Sequence, residues 1–102
     1  CNNLALCLAK SSTDNLPQSL ELVARAQSIA PNNAEILDTF GEILMMAGRA
    51  KEAINKFEQS IKLESGRIGT RKKLVAAYEA AGLPELAKAQ SEIVQSMESE
   101  PK

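Results

Sequence analysis

The feature that most constrains this chain is a period. The stretch Ala34 to Glu64, AEILDTFGEILMMAGRAKEAINKFEQSIKLE, matches the sequence 34 residues further on at its breaks and its apolar places. Gly48 falls on Gly82, Leu44 on Tyr78, Ala53 on Ala87, Phe40 on Leu74 and Leu63 on Met97. Moved back by the same interval, Phe40 falls on Leu6, Ser60 on Ala26 and Leu63 on Ile29. Three such units cover nearly all of the 102 residues. A unit of this length cannot bury both of its apolar faces alone. Neighbours must stack, and about three units are the usual minimum for stability.

Within a unit the apolar spacing is helical. Leu37, Phe40, Leu44 and Ala47 recur at three and four residues, and Ala50, Ala53, Ile54, Phe57 and Ile61 do so again. Gly48-Arg49 between them is a helix stop followed by a new start, and Gly82-Leu83-Pro84 repeats it with Pro in a first helical turn. Ser11 to Asn15 followed by Pro17 gives the first unit a longer polar turn, while Pro31-Asn32-Asn33 and Ser65-Gly66 separate the units. The pattern predicts six helices, over 2–10, 17–29, 34–47, 50–64, 68–81 and 84–98, and no strand. Aromatic residues make up only 3% of the chain, which suits helix pairs packed through Ala and Leu better than a single core built on large anchors.

These residues resemble the tetratricopeptide repeat, whose units carry large, Leu-Gly, Tyr, Ala, Phe and Pro places at fixed spacing. Residues 34–67 supply Leu37, Phe40-Gly41, Leu44, Ala53 and Phe57. Residues 1–33 keep Leu6, Ala26 and Pro31, with Cys7 in the Gly place and Ser19 in the first Ala place. Residues 68–98 keep Leu74, Tyr78 and Ala87, with Val75 in the Gly place and Ser91 in the Phe place. Residues 99–102 are expected to form a disordered tail. The resemblance implies an all-α, right-handed superhelical stack of three helix–turn–helix repeats. Asn2-Asn3-Leu4-Ala5 and Asp38-Thr39-Phe40-Gly41 are also similar to bacterial repeat proteins of envelope and exopolysaccharide export systems.

The same resemblance implies a protein-binding groove along the first helix of each unit. In this chain Leu4, Leu8, Glu35, Asp38, Thr39, Glu42, Met45, Met46, Lys72, Lys73, Ala76 and Glu79 would line it. The middle unit offers acids and the third offers bases. Asp38 and Lys72 could instead simply pair between neighbouring helices, worth ~0–1 kcal/mol if exposed. Met45 and Met46 are either adaptable contacts for a peptide or filling between units. The subgroup that grips a partner's C-terminal carboxylate uses a set of Lys, Asn and Arg residues. The matching places here are Leu4, Leu8, Thr39, Gly69 and Lys73, of which only Lys73 keeps the charge, and this argues against chaperone-tail recognition.

Other functions find little support. The chain has no His, which removes the commonest general base and nitrogen metal ligand, and no Ser or Cys sits beside a base. Carboxylates such as Glu52, Glu58 and Glu64 are spaced along solvent faces. No enzyme activity, metal or cofactor is expected. Cys1 and Cys7 are roughly 600° apart around a helix, so a disulfide between them is implausible. The net charge of −1 offers no field for nucleic acid. Gly66-Arg67-Ile68-Gly69 with Thr70-Arg71-Lys72-Lys73 mimics a nucleotide-clamping GXXG loop, but no strands flank it and the period explains it as a turn. No apolar run is long enough to cross a membrane and no signal peptide is visible, leaving cytoplasm and bacterial periplasm both open.

The reading is therefore a protein-interaction scaffold, a segment of a larger bacterial assembly protein. The alternative is a spacer whose repeats pack on neighbouring domains, and nucleic-acid binding through 66–73 comes third. The terminal helices differ in character. Lys88, Ser91, Gln95 and Glu98 are expected to make the last helix polar on its outer side, whereas Leu4 to Ala9 contains no polar side chain. Leu4 and Leu8 share a face without an earlier neighbour, so contact with an upstream repeat or a homodimer through this helix is expected.

Overall fold

The computed structural model describes residues 16–99. Among them the chain forms five helices and no strand: α1 (Leu16–Ile29), α2 (Ala34–Met46), α3 (Ala50–Leu63), α4 (Ile68–Ala80) and α5 (Pro84–Ser99). The helix expected over 2–10 lies outside the described residues, as do Leu4, Leu8 and both cysteines. The other boundaries fall within a residue of expectation. One correction concerns Ser99, expected to open the tail: it closes α5, its hydroxyl donating to the Ser96 carbonyl at 3.2 Å.

The turns inside each hairpin follow from glycine. Gly48 and Gly82 adopt φ of 74° and 77°, the left-handed region that side chains with a Cβ disfavour. Behind Gly48, the Arg49 N–H donates to the Leu44 carbonyl at 2.9 Å and the Gly48 N–H to Met45 at 3.0 Å. Leu83 and Gly82 repeat the pair onto Tyr78 and Glu79 at 2.8 and 3.1 Å. This doubly closed end satisfies carbonyls the helix would leave open, and it fixes where each helix stops. At the start of α2, the Asn33 side chain accepts from the Ile36 N–H at 3.0 Å, a cap worth ~1 kcal/mol.

Each helix packs on its sequence neighbours, and α2 also touches α4. The principal core lies where the α2–α3 hairpin meets the α4–α5 hairpin, around Leu44, Ala53, Ile54, Phe57, Leu74, Ala77, Tyr78 and Ala87. A smaller cluster of Val23 and Ile43 joins α1 to α2. Polar side chains fasten the same joints. The buried Ser60 hydroxyl donates to the Ala34 carbonyl at 2.7 Å, tying the end of α3 to the start of α2. Lys56 donates to Gln27 on α1 at 3.0 Å while its ammonium sits 4.6 Å from the centre of the Phe40 ring. Tyr78 on α4 donates to Glu58 on α3 at 2.5 Å.

Gly41 is where the hairpin is tightest. A Cβ built there would lie 2.5, 2.7 and 2.8 Å from three atoms of the Phe57 ring, which is fully buried and cannot swing into solvent. Gly41→Leu is therefore expected to cost about 3 kcal/mol, read as a lowered midpoint in thermal or urea unfolding. Phe57→Leu made in the same chain should recover part of that loss, so the two changes should be clearly non-additive. An unchanged midpoint for Gly41→Leu would contradict this packing.

Tyr78 allows a second, optical test, because it is the chain's only tyrosine. Burial, then the hydrogen bond to Glu58 and that carboxylate's charge, push its phenol up to about 12. A spectrophotometric titration of the phenolate should find its midpoint there, and Glu58→Gln should bring it down. An ordinary midpoint near 10 in the unchanged chain would contradict the contact.

Candidate functional site

The residues expected to line a groove separate into two groups. One group is buried and structural. Asp38, only 6% exposed, accepts from the Thr70 hydroxyl at 2.7 Å, the Lys73 ammonium at 2.9 Å and the Arg67 guanidinium at 3.2 Å. Lys73 reaches on to Glu42 at 2.6 Å. One carboxylate of α2 thus gathers the N-terminal turn of α4, the stretch joining the two hairpins. The pairing of Asp38 with Lys72 considered from sequence does not form: Lys72 turns the other way and pairs with Glu98 of α5 at 3.0 Å. The reason is rotational, since Lys72 and Lys73 differ by about 100° round α4 and only Lys73 faces α2. Thr39 is likewise buried and engaged within the protein.

The second group is open. Glu42, Met45, Met46, Lys73 and Ala76 border a cavity of about 270 Å³ between α2 and α4, with the Phe57 ring behind it. The Met and Ala side chains make this notch almost wholly apolar, and the Glu42–Lys73 ion pair crosses between its two walls. Glu35 and Glu79 are exposed on the same helices and, with Lys72, lie outside the notch.

Two contributors were not singled out from the sequence. Thr70 and Arg67 read there as part of a basic GXXG-like segment. The period held a signal for one of them, because Thr70 stands where the preceding unit has Ile36. A polar residue at a buried place of the repeat implies a partner. The segment's cations are all engaged: Arg67 with Asp38 and Glu64, Arg71 with the Ser65 carbonyl and Gln90, Lys72 with Glu98, Lys73 with Asp38 and Glu42. Among the described residues no helix is long and apolar enough to cross a membrane.

Burial by itself raises the Asp38 carboxyl, but the bonds from Lys73 and Thr70, the Lys73 charge and the bond from Arg67 together outweigh it and hold the group below its usual 3.8. Burial lowers Lys73, and the bonds and charges of Glu42 and Asp38 more than reverse this, leaving it above 10.5.

The fold is that of a tetratricopeptide-type helical repeat protein, as its structural neighbours show. Over 93% of its length the chain superposes on solved structures of MamA AMB-1 (TM-score 0.82) and MamA MSR-1 (TM-score 0.81), each at 20% identity. It spans about half of those proteins, 55% and 53% of their chains. No family model and no curated protein sequence matches it.

Because the folded Asp38 titrates below its unfolded value, its stabilisation is present above about pH 4 and disappears as the pH falls through the lower folded value. Asp38→Asn should cost about 2–3 kcal/mol at neutral pH and flatten the acid limb of the stability profile, measured by urea unfolding across pH. Parallel acid limbs in the two proteins would remove Asp38 from this role.

Proposed function

We propose that the chain is a protein–protein interaction scaffold without enzymatic activity, a segment of a larger bacterial assembly protein. In this reading it comprises three tetratricopeptide-like units, 1–33, 34–67 and 68–99, with six helices in a right-handed superhelical stack. The partner is a peptide or protein segment that seats an apolar side chain in the notch between α2 and α4. The observation that carries this is the notch itself. Met45, Met46 and Ala76 surround open space at the junction of two hairpins, while the neighbouring charges are satisfied within the protein. Unbranched Met side chains adapt to partners of differing shape. Nucleic-acid binding through 66–73 is disfavoured because its cations already face carboxylates, carbonyls or amides of the chain.

The test is to fill the notch without touching Asp38. Ala76→Arg and Met46→Glu, both at exposed positions, should leave far-UV helicity and the melting midpoint nearly unchanged, within about 0.5 kcal/mol. Each should weaken capture of partners from a native lysate at least about tenfold, equivalent to ~1.4 kcal/mol. Equal capture by both variants would favour repeats that act as a spacer.

A further inference from the structure

The 34-residue period makes the outer faces of α1, α3 and α5 directly comparable. On α1 that face carries Gln18, Glu21 and Arg25, the last two paired at 2.7 Å. On α3 it carries Glu52, Asn55 and Gln59, with Glu52 held by Arg49 and Gln59 donating to Asn55 at 2.8 Å. The matching residues of α5 are Leu86, Ala89 and Ile93. They fall within about 60° of one another round the helix and leave Leu86 49% and Ile93 43% exposed. Lys88, Ser91, Gln95 and Glu98, expected to make the last helix polar, share the opposite side of α5. Helices α1 and α3 keep a polar, largely paired surface where α5 presents an apolar stripe. Its loss of polarity is confined to one face.

Next round the helix come Glu85 and Glu92, both exposed and without an ion pair or hydrogen bond to any described residue. An apolar stripe of helical spacing edged by these two carboxylates, with the exposed Lys88 a further step round the helix between them, has a defined complement. An antiparallel second copy of α5 would bring Glu85 of one chain against Glu92 of the other, which is repulsive. A helix with an apolar face and flanking Lys or Arg would cover the stripe and pair with both carboxylates. We infer that the outer face of α5, centred on Leu86, Ala89 and Ile93 and edged by Glu85 and Glu92, docks a basic amphipathic helix of a partner protein. This surface is separate from the α2–α4 notch, and the two stand or fall independently.

The whole chain can be titrated against two labelled synthetic helices of about four turns, identical in their apolar face and flanked by Lys in one and Glu in the other. Fluorescence anisotropy should show the Lys helix binding about tenfold more tightly than its twin. Glu85→Gln with Glu92→Gln, or added salt, should narrow that gap. Leu86→Glu, Ala89→Asn and Ile93→Gln together copy the α3 pattern onto α5, and should abolish binding with helicity intact. Leu86→Ala with Ile93→Ala is the milder variant should the triple change disturb the fold, and it too should weaken binding. Ala76→Arg in the notch should leave binding unchanged. The inference is overturned if neither helix binds, if both bind alike, or if binding survives the changes on α5. A dimer in sedimentation that the same changes convert to monomer would assign the stripe to a second copy and overturn it equally.

Discussion

Phe57 reaches α2 only because residue 41 has no side chain, and much of the structure depends on that one approach. The ring fills the space a Cβ on Gly41 would occupy, which brings α2 and α3 together. Its other edges join Leu74 and Ala77 of the following hairpin in the main core. The same ring backs the notch between α2 and α4. Intra-hairpin packing, inter-hairpin packing and the shape of the candidate site therefore share a single side chain. The following unit solves the same contact differently. Val75 replaces the glycine and Ser91 replaces the phenylalanine, so the large and small partners have changed places, and both border a cavity of about 250 Å³ with Ala87. A volume exchange of this kind preserves helix spacing at little cost.

The polar fastening complements this packing. Apolar burial is non-directional, whereas Asp38 accepts bonds from three donors, the Arg67, Thr70 and Lys73 side chains, and so ties α2 to the start of α4 at one place. The arrangement has a functional consequence. With Asp38 satisfied and Lys73 shared with Glu42, little charge at the notch is left to recognise a partner. Selectivity there falls to the shape of the apolar space and to any group that competes with Glu42 for Lys73.

The helices and their ends were legible in the sequence because they depend on local chemistry. Gly48 and Gly82 stop helices by backbone conformation alone, and Asn33 starts one with its own side chain. The groove lining came from the family resemblance, and five of its residues, three on α2 and two on α4, border the notch. Depth was not legible. Helical arithmetic gives the direction in which Asp38 points but not whether α4 covers it, which depends on Arg67, Thr70 and Lys73 arriving from about 30 residues away. Helix α4 hid its role for a related reason. It is touched on several sides and carries cations that serve internal partners, so no single apolar stripe marks its buried side.

The two flanks of α5 are best understood together. On the flank of Lys88 and Gln95 the matching residues of α3 are Ile54 and Ile61, which pack into or against the core shared with the next hairpin. There α5 is polar where a stacked neighbour would require apolar side chains. On the flank of Leu86 and Ile93 the exchange runs the other way, apolar where α1 and α3 are polar. A general drift of the last unit away from the repeat pattern would blur both flanks alike. Opposite changes on opposite sides of one helix instead describe a surface that has given up one kind of contact and acquired another. The stacking contact uses an apolar side chain to join like units. The outer stripe, with its unpaired carboxylates, has the composition of a contact with something unlike itself.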